Sequence, residues 1–341
     1  MTTTALLHAE EIAKAYDETA RCVAEGVDDP RPSMNVRTVT AYTKAVLLDA
    51  CLACPLVPKV FVAADCACGR GQDIPKLFHA LRMHGGVSRL ASLHCLDISE
   101  ESLDMARAMG ARWLPSSPIE YTLGDVTKDE AWAKVRPGSV HVLMCHLALH
   151  YWCDTADHVR AFFQAAHRAA CPRHGLLLVS FADGRWVVRA ARAAMSSGCV
   201  DGAGYVVVSR GPMTLRIHES HLQATLPAPL APFGAPYSFH LQGRLKPCTE
   251  YLVHEGAVCS VAAKCGWPCV ALSERVDILA ARFAGHSAAY ATIASLMGFD
   301  PRHTGGVGDL YRVVVFARCA EDAVAFQTSV WSRQQHRESP P

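Results

Sequence analysis

Apolar positions change period several times along the chain, and each change marks an element. Leu6, Leu7, Ile12, Ala13, Tyr16, Ala20 and Val23 recur at helical spacing and predict an amphipathic helix over Leu6–Glu25. The Pro-rich stretch Asp28–Ser33 breaks the pattern, and a second helix is predicted over Val36–Cys54, stopped by Pro55. Short β-branched runs then alternate with amphipathic stretches. Strands are predicted at Lys59–Cys66, Leu90–Leu96, Ile119–Leu123, Ser139–His146 and Gly175–Phe181, with helices from Asp73, from Ser99 and over Asp154–Cys171. Ser99 followed by Glu100 and Glu101 suits a helix start, since a hydroxyl can cap free N–H groups and acids favour that end of the dipole. Strands alternating with helices over short connections give a parallel sheet with right-handed crossovers.

The regularity stops after Asp183. A helix reaching Ser197 leads into short strands at Tyr205–Ser209 and Leu215–Ile217, then a stretch carrying Pro227, Pro229, Pro232 and Pro236 that reads as an insertion. Glu250–Cys265 reads as helix, Cys269–Leu272 as strand, Val276–Met297 as helix and Leu310–Ala317 as strand. The predicted architecture is α/β and Rossmann-like, a seven-stranded, mostly parallel sheet with helices on both faces and an inserted Pro/Gly-rich region. The last strand is expected to enter antiparallel. An N-terminal helical region (1–58) would pack on the α/β domain (59–318, insertion about 203–247), leaving a C-terminal tail (319–341) that is loose from Ser332.

With 341 residues, half of them hydrophobic and 19% charged, the chain is globular and can bury a core without disulfides. Its fifteen cysteines are odd in number and lie largely in apolar runs, as at Cys66, Cys68, Cys145 and Cys259, which reads as reduced thiols packing as small hydrophobes. Cys51-x-x-Cys54 lacks the second pair that a structural zinc needs, so no metal is expected. No apolar run reaches membrane-spanning length and Met1–His8 does not read as a signal peptide, so no membrane association is expected. Thirty-three Lys+Arg against thirty-two Asp+Glu, a net +1, argues against a broad footprint on DNA or long RNA. A small charged ligand needs only a local basic pocket.

The candidate chemistry gathers at strand ends. Asp65-Cys-Ala-Cys-Gly-Arg-Gly71 follows the first βα strand, where open α/β sheets bind ligands, and its small residues let backbone approach a ligand closely. Asp97 closes the next strand, where a carboxylate can accept both hydroxyls of a ribose, and Asp125 closes the third, placed for an adenine edge. One loop and two acids at matching strand ends suit an adenosine-bearing cofactor. They do not separate S-adenosylmethionine from a nicotinamide, although the missing G-x-G-x-x-G disfavours a dinucleotide.

Several further segments resemble the eukaryotic mRNA cap guanine-N7 methyltransferases, from about Ala15 to Ala317. Ala15-Tyr16-Asp17 resembles the family's "HY(N/D)" start; Ser33–Leu48 resembles "R-x-F-N-N-W-x-K-S-V-L", with Arg37, Lys44, Val46 and Leu47 in register. Cys145-His-Leu-Ala-Leu-His-Tyr151 is similar to "C-Q-F-A-L-H-Y". Tyr237-Ser-Phe-His-Leu241 and Thr249-Glu-Tyr-Leu-Val253 resemble "Y-x-F-x-L" and "P-E-[FY]-L-V". The resemblance implies a class I methyltransferase using S-adenosylmethionine and no metal. It implies that Lys44, Ala67, Cys68, Gly69, Asp97, Asp125, His146 and Tyr151 hold the cofactor. Thr40, Arg70, Lys76, His150, Glu250 and Tyr311 would meet the cap, with His150, Tyr151 and Glu250 positioning the guanine and no residue acting as general base. Partners would be the capped 5′ end of RNA and other capping enzymes, and the location the nucleus, with the cytoplasm as alternative because no dense basic import signal is present.

This sequence departs from the family at Thr40-Ala41 (a paired Asn), Ala67 (a Gly) and His146 (a Gln). On the residues alone, Tyr311 is equally a core residue of a terminal strand. Glu250 is equally a helix-start acid, and His150 a hydrogen-bonded, half-buried histidine. A non-catalytic cap-binding relative, a small-molecule methyltransferase and a nicotinamide oxidoreductase are the alternative functions.

Overall fold

The computed structural model describes residues 3–24, 34–222, 232–242, 245–300 and 308–331. The break at 28–33, Pro227, Pro229 and the tail from Ser332 lie outside them. Two helices come first, α1 (Thr3–Ala24) and α2 (Met34–Ala53). The alternation follows as β1 (Phe61–Cys66), α3 (Ile74–Met83), β2 (Leu90–Asp97), α4 (Glu100–Trp113), β3 (Ile119–Leu123), β4 (Val142–His146), α5 (Ala156–Ala169), β5 (Leu176–Ala182) and α6 (Gly184–Ser196). β4 and β5 are buried along their whole length, as central parallel strands covered on both faces must be, whereas β3 at the sheet edge is only half-buried.

A second set of strands interrupts the pattern: β6 (Tyr205–Arg210), β7 (Met213–His218), β8 (Pro236–Leu241) and β9 (Leu245–Tyr251). The chain then adds α7 (Glu255–Lys264), β10 (Cys269–Arg275), α8 (Val276–Ala284), α9 (Ala288–Leu296), β11 (Tyr311–Ala317) and α10 (Ala320–Trp331). The main sheet has seven strands in the order β10-β11-β5-β4-β1-β2-β3. Its pairings from β5 to β3 are parallel, and β11 runs antiparallel to both β5 and β10. The chain winds from β1 outward to β3, then returns to β4 on the other side of β1. That reversal opens a crevice at the carboxyl ends of β1 and β4. Because β11 is antiparallel, its first residue, Tyr311, pairs with Ala182 and lies at this same end.

Three elements differ from the sequence expectation. Glu250 does not begin a helix. It lies in β9, opposite Tyr237 in an antiparallel four-stranded sheet ordered β6-β7-β8-β9, and the following helix starts at Glu255. In β8 and β9 the buried face alternates as Tyr237, Phe239, Leu241 and Cys248, Glu250, so a period of two governs where a helix was expected. The helix expected over Val276–Met297 breaks at Gly285–Ser287, where Ser287 caps α9 by accepting from Tyr290 N. Residues 320–331, assigned above to the tail, form α10, which buries Phe326 and Val330.

The second sheet is tied to the first at one close approach. Asp183 bridges Val253, and a Cβ on Gly184 would lie 2.7 Å from the Val253 carbonyl oxygen, so only glycine fits there. Glu250 is thereby held three residues from a fixed contact with the end of β5.

Candidate functional site

One cavity, of ≈ 250 Å³, occupies the crevice at the carboxyl end of the main sheet, and β8, β9 and α1 close it. Its floor is the turn after β1. Ala67 N and Cys68 N both donate to Leu96 O (2.8 and 3.0 Å), which binds the turn to the neighbouring strand. Ala67 has φ +86° and Gly69 φ +49°. The left-handed region suits glycine at Gly69 and strains the β-carbon of Ala67.

Asp97 closes β2 beneath this turn, 6% exposed. Its Oδ2 accepts from Gly69 N at 2.6 Å and its Oδ1 from Ser99 N at 3.0 Å. Burial raises the Asp97 pKa, and these backbone N–H groups work against the rise. A carboxylate offers about four acceptor sites, so capacity for ligand hydroxyls remains. Asp125 accepts from Thr127 N and Oγ1 through Oδ1 and also lines the cavity.

A charged cluster borders the same turn. Asp73 lies 3.0 Å from Lys44 Nζ and 2.8 Å from Lys76 Nζ. Burial pushes the Asp73 carboxyl up, but Lys44, Lys76 and His146 outweigh it and hold the group well below the usual carboxylate range. Lys44 lines the cavity; Lys76 does not. Its ammonium is spent on Asp73 and on Gln72 O at 2.6 Å. One turn into α3 is the right height for a phosphate contact, but the side chain turns back toward the acid that precedes the helix. Thr40, half-buried on α2, is likewise outside the lining.

Residues after β4 form the next wall. His146 donates or accepts at Nδ1 with Ser180 Oγ (3.1 Å), and its Nε2 is buried without a hydrogen-bond partner among the described residues. Burial, then the Lys44 charge, depress its pKa to about 3, so it is neutral. Leu147 follows at φ +59°, the second non-glycine residue in the left-handed region, and directs the chain toward His150 and Tyr151.

His150 Nε2 lies 3.3 Å from Glu250 Oε1, and Tyr237 donates to Glu250 Oε2 at 2.5 Å. Glu250 is 2% exposed. Burial lifts its pKa to about 8 against the opposing Tyr237 hydrogen bond, while burial drops His150 to about 3. The close approach is therefore a contact of two uncharged groups at neutral pH and not an ion pair. Arg70 and Tyr311 also line the cavity.

The structure thus gathers Lys44, Ala67, Cys68, Gly69, Arg70, Asp97, Asp125, His146, His150, Tyr151, Glu250 and Tyr311 around one space. Sequence reasoning missed the α1 wall, where Ile12 and Tyr16 reach the cavity and Tyr16 Oη lies 3.0 Å from Tyr151 Oη. It also missed Phe239, Leu241 and Leu245, which supply an apolar side. The signal for Phe239 and Leu241 was the two-residue alternation in β8. Among the described residues, no group of three or more His, Cys, Asp or Glu could hold a metal ion, and no helix is long and apolar enough to cross a membrane.

An adenosine-bearing, cationic methyl donor fits these residues. Carboxylates close β2 and β3, Lys44 faces the cavity while paired with Asp73, and the buried Nε2 of His146 has no hydrogen-bond partner among the described residues. Fold and site together define a class I S-adenosylmethionine-dependent methyltransferase. The family model of the mRNA (guanine-N(7))-methyltransferase domain matches residues 6–288, and the chain belongs to that family. No curated protein matches the sequence significantly. Among solved structures, the CcbJ methyltransferase from Streptomyces caelestis is similar at 16% identity, covering 92% of this chain and 98% of that one, with a TM-score of 0.47. A putative sarcosine dimethylglycine methyltransferase from Galdieria sulphuraria shares 11% identity over 83% of this chain and 86% of its own, TM-score 0.41. These are distant likenesses, and family membership rests on the domain match.

Proposed function

We propose that the protein methylates N7 of the guanosine that caps the 5′ end of mRNA. The observation that carries the reading is Glu250, a buried carboxyl on the wall of the cofactor cavity, held by Tyr237 and flanked by His150 and Tyr151. Guanine presents N1–H and a 2-amino group side by side, two donors for one carboxylate, whereas adenine offers neither. Sites built to pair with such donors reject analogues that lack them. Tyr151 and Tyr311 give the base flat neighbours, and Arg70 is the cation placed for phosphate.

S-adenosylmethionine supplies a methyl on a sulfonium, which N7 can accept through a lone pair that carries no proton. No general base is needed, and none is assigned. The contribution of the chain is alignment, together with a carboxylate near the base that favours positive charge developing there. His146 and Asp97 hold the donor; His150 and Glu250 hold the acceptor. The same reading gives nuclear location and other capping enzymes as partners.

Methyl transfer to RNA carrying a GpppG or an ApppG start, with the product base identified by mass spectrometry, tests the proposal. Methylation at guanine N7 of the first substrate and none of the second is the expected result. Equal transfer to both, or transfer to neither by protein that binds S-adenosylhomocysteine, sinks it.

A further inference from the structure

A polar bridge ties α1 to the carboxylate at the end of β2. Ser99 Oγ donates to Asp17 Oδ1 at 2.5 Å and accepts from Ser102 N at 3.0 Å, capping α4. The backbone N of the same serine donates to Asp97 Oδ1 at 3.0 Å. Ser99 is fully buried. Its hydroxyl therefore links α1 to α4, and its N–H orients the acid placed for the cofactor ribose. Asp17 also stands at the amino end of α4, where unpaired N–H groups favour an anion. One turn further, Arg21 lies 3.5 Å from Glu101, a solvent-exposed pair that adds little.

A neighbouring face of α1 carries Ile12 and Tyr16 to the cavity wall. One helix thus touches the acceptor side through Tyr16 and Tyr151 and the cofactor side through Asp17 and Ser99. We infer that Asp17 is a positioning residue: by holding Ser99 it steadies the N–H that orients Asp97, so that docking of α1 and binding of the cofactor favour one another. The inference rests on the cofactor site and not on the identity of the methyl acceptor. Linkage makes the effect reciprocal. If docked α1 improves cofactor affinity, bound cofactor must hold α1 down by the same factor.

The test combines calorimetric titration of the full chain with S-adenosylhomocysteine and amide hydrogen exchange over residues 10–21. Asp17→Ala should weaken S-adenosylhomocysteine about fivefold, the effect of one ordinary hydrogen bond. Asp17→Asn keeps an oxygen acceptor and should lose about twofold at most. Saturating S-adenosylhomocysteine should slow exchange in α1 of the wild-type protein and leave it unchanged in Asp17→Ala. Should Asp17→Ala fail to fold, Ser99→Ala replaces it, since that variant keeps the backbone N–H to Asp97 and loses the hydroxyl's bond to Asp17 together with the α4 cap. Wild-type affinity in either alanine variant, even with a lowered melting temperature, overturns the inference and leaves Asp17 a structural contact. So does exchange in α1 that ignores the ligand. Failure to methylate a cap with both linkages intact would count against the proposed acceptor alone.

Discussion

Glu250 is uncharged for most of the time at neutral pH because burial outweighs its one strong hydrogen bond. Guanine needs an acceptor at both carboxylate oxygens, so base binding must draw on the ionised fraction. That fraction grows about tenfold per pH unit below the pKa and saturates above it. The kcat/KM for a capped RNA should therefore rise with pH and level off above about 8. Glu250→Gln should lose this rise, and Glu250→Ala should fall at least tenfold below Gln at high pH, with S-adenosylhomocysteine binding unchanged in both. A flat wild-type profile would remove Glu250 from base recognition. The same shift acts on stability with the opposite sign. A carboxyl with a raised folded pKa stabilises the fold relative to the ionised state below about pH 4.5, and that advantage is lost as pH rises through about 8. Gln at this position should therefore be most stabilising, relative to wild type, in alkaline solution. At the floor of the cavity, Ala67 holds φ +86° with a β-carbon. Ala67→Gly should raise stability by about 1 kcal/mol by relieving that strain, partly offset by the greater freedom of glycine in the unfolded chain. Unchanged or lowered stability in denaturant titration would show that the turn carries no strain.

At the scale of elements, the second sheet decides how the acceptor side behaves. β8 reaches Glu250 through the Tyr237 hydroxyl, a donor that lowers the carboxyl pKa against burial. Tyr237→Phe removes that donor and keeps the ring, so the rise in kcat/KM should move to higher pH, and cofactor affinity should stay the same. An unmoved inflection would mean that the hydroxyl does not bear on Glu250 ionisation. The main sheet was legible because most of β1 to β5 are short apolar runs set off by turns and by helix starts, two of them capped by Ser99 and Thr155, a pattern that local chemistry sets. Asp97 and Asp125 were legible for the same reason, since strand ends can be read from where the apolar run stops. β9 was not. Its sequence LKPCTEY mixes polar residues with a proline, and only pairing with β8 makes it a strand. Lys76 shows the same limit at a side chain: its height on α3 was readable, but its direction depended on Asp73, which two lysines keep charged against its burial.

Across the whole molecule, two apolar layers sandwich the main sheet, and successive residues of one strand feed opposite layers. Ala63 belongs to the layer with α2 and α3, Ala64 and Cys66 to the layer with α5. The functional cavity sits where this sandwich, the second sheet and α1 meet, so no one of the three holds it alone. The free thiols record that arrangement. Nine of the fifteen cysteines are buried, five are half-buried, and Cys199 is exposed just beyond the end of α6. A coloured thiol reagent should therefore titrate the native protein in stages. Cys199 should react at once, and the nine interior sulfurs should stay silent until the surrounding layers part. Cys68, which borders the cofactor turn, should be shielded further by S-adenosylhomocysteine. Immediate reaction of all fifteen would contradict the packing described here. The chain thus contains a built-in reporter of its own unfolding, able to distinguish loosening around the ligand from collapse of the interior without an added label.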